Sequence, residues 1–138
     1  MNCNGPILII DDDTDDLDIL KEVFHDLHYP NEILFFNEGQ KAIDFLSNTS
    51  IVPFLILSDI NMPKLNGFAV RDQIYANGVS TLKLIPYLFF TTASTHQSIV
   101  DTLNCTAQGL FIKPNSIGDY EKIIQVIMAY WKGCSVDN

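Results

Sequence analysis

Four short apolar runs in this sequence end on residues that can do chemistry. "PILII" (6–10) is followed by Asp11, Asp12 and Asp13, and "PFLIL" (53–57) by Ser58 and Asp59. "LIPYLFF" (84–90) is followed by Thr91 and Thr92, and "GLFI" (109–112) by Lys113 and Pro114. Singly these are ordinary residues: an Asp that caps a helix, a Thr in a turn, a solvated Lys. Collected on one edge they make a set of carboxylates, hydroxyls and an ammonium. A charge at the lip of a buried strand is costly unless something pairs with it. Lys113 and a cation held by Asp12 can offset that of Asp59. Oxygen ligation by few protein groups suits Mg²⁺, which keeps several waters and accepts one or two carboxylates plus phosphate oxygens. A carboxylate beside a divalent ion and a lysine is set up to attack phosphorus and form an acyl phosphate. The ion and the ammonium neutralise the charge developing on the transferred group.

The elements that must carry these residues are legible in the periodicity. The continuous apolar runs 6–10, 32–36 ("EILFF"), 53–57, 84–90 and 109–112 are too short for helices and read as buried strands. Leu17, Leu20, Val23, Phe24 and Leu27 recur at helical spacing, with Asp15, Asp16 and Asp18 near the start, where the helix dipole favours anions. Asp13 is placed to cap that helix, and Pro30 helps to stop it. Ala42, Ile43, Phe45 and Leu46 line a second helix. Phe68, Val70 and Ile74 line a third, which follows Asn66-Gly67 and ends near Gly78. A weaker helix is expected around Ser98 to Asn104, and a last one from about Ile117 to Trp131. Five strands alternating with five helices predict an α/β domain with a parallel sheet. Strands that are apolar throughout, not alternating, predict helices on both faces. Ligands of such sheets bind beyond the carboxyl ends of the strands, where the candidate residues lie.

Composition narrows the function. The chain has 138 residues, 47% hydrophobic and 18% charged, which suits one globular domain. A net charge of −9 argues against sequence-independent nucleic-acid binding and against docking on anionic membranes. No apolar run approaches the roughly 20 residues of a membrane span, and the start "MNCNGPILII" lacks the marks of a signal peptide. Cys3, Cys105 and Cys134 show no metal or disulfide spacing, so a cytoplasmic protein with reduced thiols is expected. Eight of the 17 acidic residues fall between Asp11 and Asp26, a cluster that a solvated helix face would also explain.

Taken in order, "ILIIDDD", "LILSDINMPKLNG", "IPYLFFTTA" and "LFIKP" resemble the receiver domain of two-component response regulators over nearly the whole chain. The resemblance implies a flavodoxin-like (βα)5 fold over 1–138, with a core of about 5–132 and no output domain. It implies that Asp59 is the phosphoacceptor, that Asp12 ligates Mg²⁺ directly, and that Asp11 does so through water. It further implies that Asn61 offers the metal a backbone carbonyl, that Thr91 hydrogen-bonds a phosphoryl oxygen, and that Lys113 pairs with the phosphoryl group. Thr91 is preferred to Thr92 because it stands five residues after Pro86, at the strand end. Met62, Pro63 and Gly67 match the loop after the acceptor, and Pro114 matches a cis-proline position. Leu110 departs from the family, which often has there an aromatic ring that moves on activation. The nearby ring, Phe111, should point to the opposite face.

The implied partners are a sensor histidine kinase, a histidine phosphotransfer protein and an unknown downstream protein. A homodimer through the last two helices and the fifth strand is also implied, with Tyr130 and Trp131 as candidate contributors. Beyond self-phosphorylation and autodephosphorylation no enzyme activity is expected. Three rival readings remain open at this stage. Asp11, Asp13, Asp15 and Glu22 fall at positions 1, 3, 5 and 12 of an EF-hand loop, although Asp16 stands where its Gly is needed. An aspartyl-phosphate hydrolase would use Asp11 or Asp13 as nucleophile. A receiver-like interaction module would take no phosphate at all.

Overall fold

The computed structural model describes residues 2–77, 82, 84–92, 100, 101 and 108–134. The chain runs β1 (Ile7–Ile10), α1 (Thr14–Leu27), β2 (Ile33–Phe36), α2 (Gly39–Ser47) and β3 (Leu55–Ser58). It continues through α3 (Gly67–Tyr75), β4 (Tyr87–Thr91) and β5 (Gly109–Ile112) to α4 (Ile117–Cys134). The five strands form one sheet, parallel throughout, in the order β2-β1-β3-β4-β5. The helix expected around Ser98 to Asn104 lies outside the described residues, apart from residues 100 and 101.

The unbroken apolar strands are explained by what covers them. Ile7, Ile9, Leu55, Leu57, Leu88 and Phe90 face α1 and α4, which supply Leu20, Phe24, Ile124 and Ile127. Leu8, Ile10, Ile56, Tyr87 and Phe89 face α2 and α3, which supply Ala42, Leu46, Val70 and Ile74. Side chains alternate across a strand, so a strand covered on both faces needs an apolar residue at every position. The expected α/β architecture is therefore the observed one.

Proline moves the starts of two strands from those of the apolar runs. β4 begins at Tyr87 and not at residue 84, because Pro86 has no N–H to give to the ladder. Before it, the Ile85 N–H bonds back to the Leu82 carbonyl at 3.3 Å, and Leu84 is exposed. β3 begins two residues beyond Pro53 and extends through Ser58. The strand therefore reaches the residue directly before Asp59.

Candidate functional site

The sheet itself positions the site. Asp11, Asp59 and Lys113 each stand one residue past a strand, and each still bonds through its backbone N–H to the neighbouring strand. Asp11 N donates to the Phe36 carbonyl (3.0 Å), Asp59 N to that of Ile10 (2.9 Å) and Lys113 N to that of Thr91 (2.7 Å). The three side chains thus inherit the rigidity of the ladder. They meet at the carboxyl edge where the strand order changes direction, between β1 and β3, which is where open parallel sheets hold their ligands.

Lys113 is the hub. Its Nζ donates to Asp11 Oδ2 at 2.5 Å, Asp16 Oδ2 at 2.8 Å and Asp59 Oδ2 at 3.3 Å. Only 6% of Lys113, 2% of Asp11 and 9% of Asp59 is exposed. Burial pushes the Asp11 carboxyl up to about 6, because desolvation outweighs the hydrogen bonds from Lys113 and the Asp13 N–H. Burial pulls the Lys113 ammonium down, but its bonds to Asp11 and Asp16 and the nearby carboxylate charges hold it well above the usual lysine range. The net result is a buried, fully charged ammonium.

Oxygen atoms of Asp11, Asp12 and Asp59 lie within 4.8 Å of one another, and Asp12 is on the exposed side. Three hard oxygen donors at this separation can hold a divalent cation. Asn61 is exposed in the loop after β3. Asp59 is fixed by its own neighbours as well: Oδ1 accepts from the Ile60 N–H (2.7 Å), and its carbonyl accepts from the Ser58 hydroxyl (2.8 Å). The loop closes when the Gly67 N–H bonds to the Ile60 carbonyl at 2.8 Å. A Cβ at Gly67 would collide with the Asp59 carbonyl oxygen, so only glycine allows this approach.

Thr91, the last residue of β4, is 1% exposed, and its Oγ1 has no hydrogen-bond partner among the described residues. Thr92 is exposed. A buried hydroxyl left unpaired is unfavourable unless something comes to occupy it. Of the two threonines, Thr91 is the buried one.

Several other readings resolve here. Asp13 caps α1, its Oδ1 accepting from the N–H groups of Asp15 (2.9 Å) and Asp16 (3.4 Å). That removes the EF-hand: the acidic spacing is a strand end followed directly by a helix from Thr14. Leu110 packs with the α2–α3 side of the core and Phe111 with the α1–α4 side, as alternation required. The Lys113–Pro114 bond, matched above to a cis-proline position, is trans, the form that an X–Pro bond favours by about 0.5–1 kcal/mol.

One site residue escaped the sequence reading. Asp16 was assigned only to the helix dipole, yet it holds Lys113. The available signal was its place beside Leu17, on the flank of the buried stripe of α1.

Comparison with known proteins agrees with the geometry. Residues 7–125 match the family model of the response regulator receiver domain. Response regulator Rcp1 of Synechocystis is 28% identical over 91% of this chain and 87% of its own length. The probable methanogenesis regulatory protein FilR2 of Methanothrix harundinacea is 25% identical over 92% and 83%. Among solved structures, the Mn²⁺-bound form of Rcp1 superposes with a TM-score of 0.81 at 26% identity, covering 97% of this chain and 99% of that one. The phosphorylated cyanobacterial phytochrome response regulator RcpA superposes at 0.83, with 24% identity over 96% and 97%. Matched by that family model over residues 7–125, with a five-stranded parallel sheet in the order β2-β1-β3-β4-β5, the chain belongs to the response regulator receiver domains of two-component signalling.

Proposed function

We propose that this domain takes a phosphoryl group onto Asp59 and signals through the surface that the modification changes. The observation that carries the reading is the buried ammonium of Lys113, 3.3 Å from the strand-end carboxylate of Asp59, together with the unpartnered buried hydroxyl of Thr91 at the end of the neighbouring strand β4. Asp59 attacks the phosphorus of the donor. A carboxylate O–P bond forms while the bond from phosphorus to the donor's nitrogen or oxygen breaks, and its electron pair leaves with the donor. Lys113 pairs with the phosphoryl oxygens, and Thr91 donates its hydroxyl proton to one of them.

The oxygen-only cluster of Asp11, Asp12 and Asp59 fits Mg²⁺. Asp12 and Asp59 would hold it directly, Asn61 through its backbone carbonyl and Asp11 through a water. When bound, the ion neutralises charge on the transferred group and between the carboxylates. That the Rcp1 relative has a Mn²⁺-bound form supports divalent-ion binding by this chain. The donor would be a sensor histidine kinase or a histidine phosphotransfer protein, and the recipient of the signal another protein. No helix among the described residues is long and apolar enough to cross a membrane, and a cytoplasmic setting suits such donors. No chemistry is proposed beyond self-phosphorylation and autodephosphorylation.

Acetyl phosphate with Mg²⁺ should add one phosphoryl group, and Asp59→Asn should abolish the addition. Label found instead on Asp11 or Asp13 would move the protein to the hydrolase reading.

A further inference from the structure

The pairing of Lys113 with Asp59 leaves one contact without a role. An ammonium has three N–H bonds and no more. In this structure all three point at carboxylates: Asp11, Asp16 and Asp59. A phosphoryl group on Asp59 adds close to two negative charges and three strong acceptor oxygens. Lys113 gives Asp59 only one of the three, at 3.3 Å, so a second bond to the phosphoryl group requires it to release another partner.

The three carboxylates are not equally easy to release. The Asp11 side chain is 3% exposed and is held from its other side, because Oδ1 accepts from the Asp13 N–H at 2.9 Å. Asp59 is the carrier itself. The Asp16 side chain is the most exposed of the three, at 15%. It stands on the first turn of α1, and its carboxylate borders an open cavity of about 320 Å³ shared with Asn115, Ser116 and Tyr120. A carboxylate turning into that space is hydrated without disturbing the sheet.

We propose that Asp16 is a positioning residue: it holds Lys113 back in the unphosphorylated domain and yields that N–H to the phosphoryl group. The inference rests on Asp59 being the phosphoacceptor. The Lys113–Asp16 bond ties the start of α1 to the loop after β5, so its exchange carries the state of Asp59 to the face that α1 shares with α4. Coupling is reciprocal. If phosphorylation breaks the bond, then removing the bond must favour the phosphorylated form.

The test compares wild type, Asp16→Asn and Asp15→Asn for affinity toward beryllofluoride in saturating Mg²⁺. Asp15 is an exposed carboxylate of the same turn with no bond to Lys113, so its variant measures the effect of charge alone. Asp16→Asn should bind about three- to tenfold more tightly than Asp15→Asn, the range of a partly buried charge-assisted contact. Asp16→Glu should return toward wild type. Should Asp16→Asn fold poorly, the wild-type protein supplies a second readout: the carboxyl carbon resonance of Asp16 should shift on binding while that of Asp15 stays. Equal affinities for Asp16→Asn and Asp15→Asn, or an unmoved Asp16 resonance, would overturn the inference. A wild-type domain that binds no beryllofluoride would overturn the acceptor reading instead.

Discussion

Lys113 stands among more negative charge than it can neutralise, and single substitutions there should expose the imbalance. Lys113→Ala leaves Asp11 and Asp59 buried without their cation, which should destabilise the Mg²⁺-free domain by about 2–4 kcal/mol at pH 7, read by urea unfolding. Mg²⁺ should recover part of that loss, since a ligand of the folded state stabilises it by mass action. Asp11 gives a pH signature with a definite sign. Its folded value lies near 6, above the ordinary 3.8, so between these values the folded state binds more protons than the unfolded one. Its contribution to stability is therefore full below that window and declines as pH rises through about 6. Lys113, shifted up, keeps its contribution across the same range and loses it only at alkaline pH. Without Mg²⁺, wild type should lose stability from pH 5 to 7 relative to Asp11→Asn, and a parallel pair of curves would contradict this. At this scale the sequence spoke clearly where a reactive residue ended an apolar run, as Asp11, Asp59, Thr91 and Lys113 do. It was mute about Asp16, whose bond spans 97 residues and depends on how α1 sits over β5.

At the scale of elements, the proposed switch would run through the segments that follow the strands. The turn after β3 is closely held: Asn66 caps α3 by accepting from the Ala69 N–H at 2.9 Å, and Gly67 lies against the Asp59 carbonyl. Gly67→Ala forces backbone against backbone, so it should cost about 1–3 kcal/mol and slow phosphorylation from acetyl phosphate. A variant with wild-type stability and labelling would show that the loop relaxes freely. Thr91 ends β4 opposite Ile112, and Leu110, two residues before that partner on β5, has no ring to swing. Thr91→Ala should therefore leave Asp59 able to take the phosphoryl group while abolishing the change in hydrogen exchange over residues 91–120 on binding beryllofluoride. Leu110→Ala should alter that response only modestly, through lost packing. Loss of the response in a folded, mimic-binding Leu110→Ala would reverse the assignment. The strands themselves were legible because burial on both faces makes them apolar throughout. Their ends were less so, since proline and local turns decide where pairing begins, as at Pro86 and Pro53.

Over the whole molecule, charge and apolar exposure lie in different places. The acidic edge gathers at the carboxyl ends of β1 and β3, whereas the exposed large apolar residues include Ile112 on β5 and Ile117, Val126 and Tyr130 on α4. Val126 and Tyr130 are four residues apart and share one face of α4. Val126 also lines a shallow apolar groove with Phe111, Lys122 and Ile123. β5 is also the last strand of the sheet, with one edge unpaired by any described strand. We propose that a second copy of the chain covers this surface, more firmly once Asp59 is phosphorylated. The loop that carries Lys113 joins β5 to α4, so movement at the site bears directly on the register of this face. Sedimentation with Mg²⁺ and beryllofluoride should then show a dimer that weakens without the mimic. Val126→Glu should return it to monomer by placing a charge in the apolar centre, while leaving phosphorylation of Asp59 at the wild-type rate because the site lies at the other end of the strand-to-helix connection. A monomer at every concentration in both states would reject self-association and leave the same surface to a different protein. If Val126→Glu slowed phosphorylation as well, the face and the site would be coupled more tightly than a single loop allows.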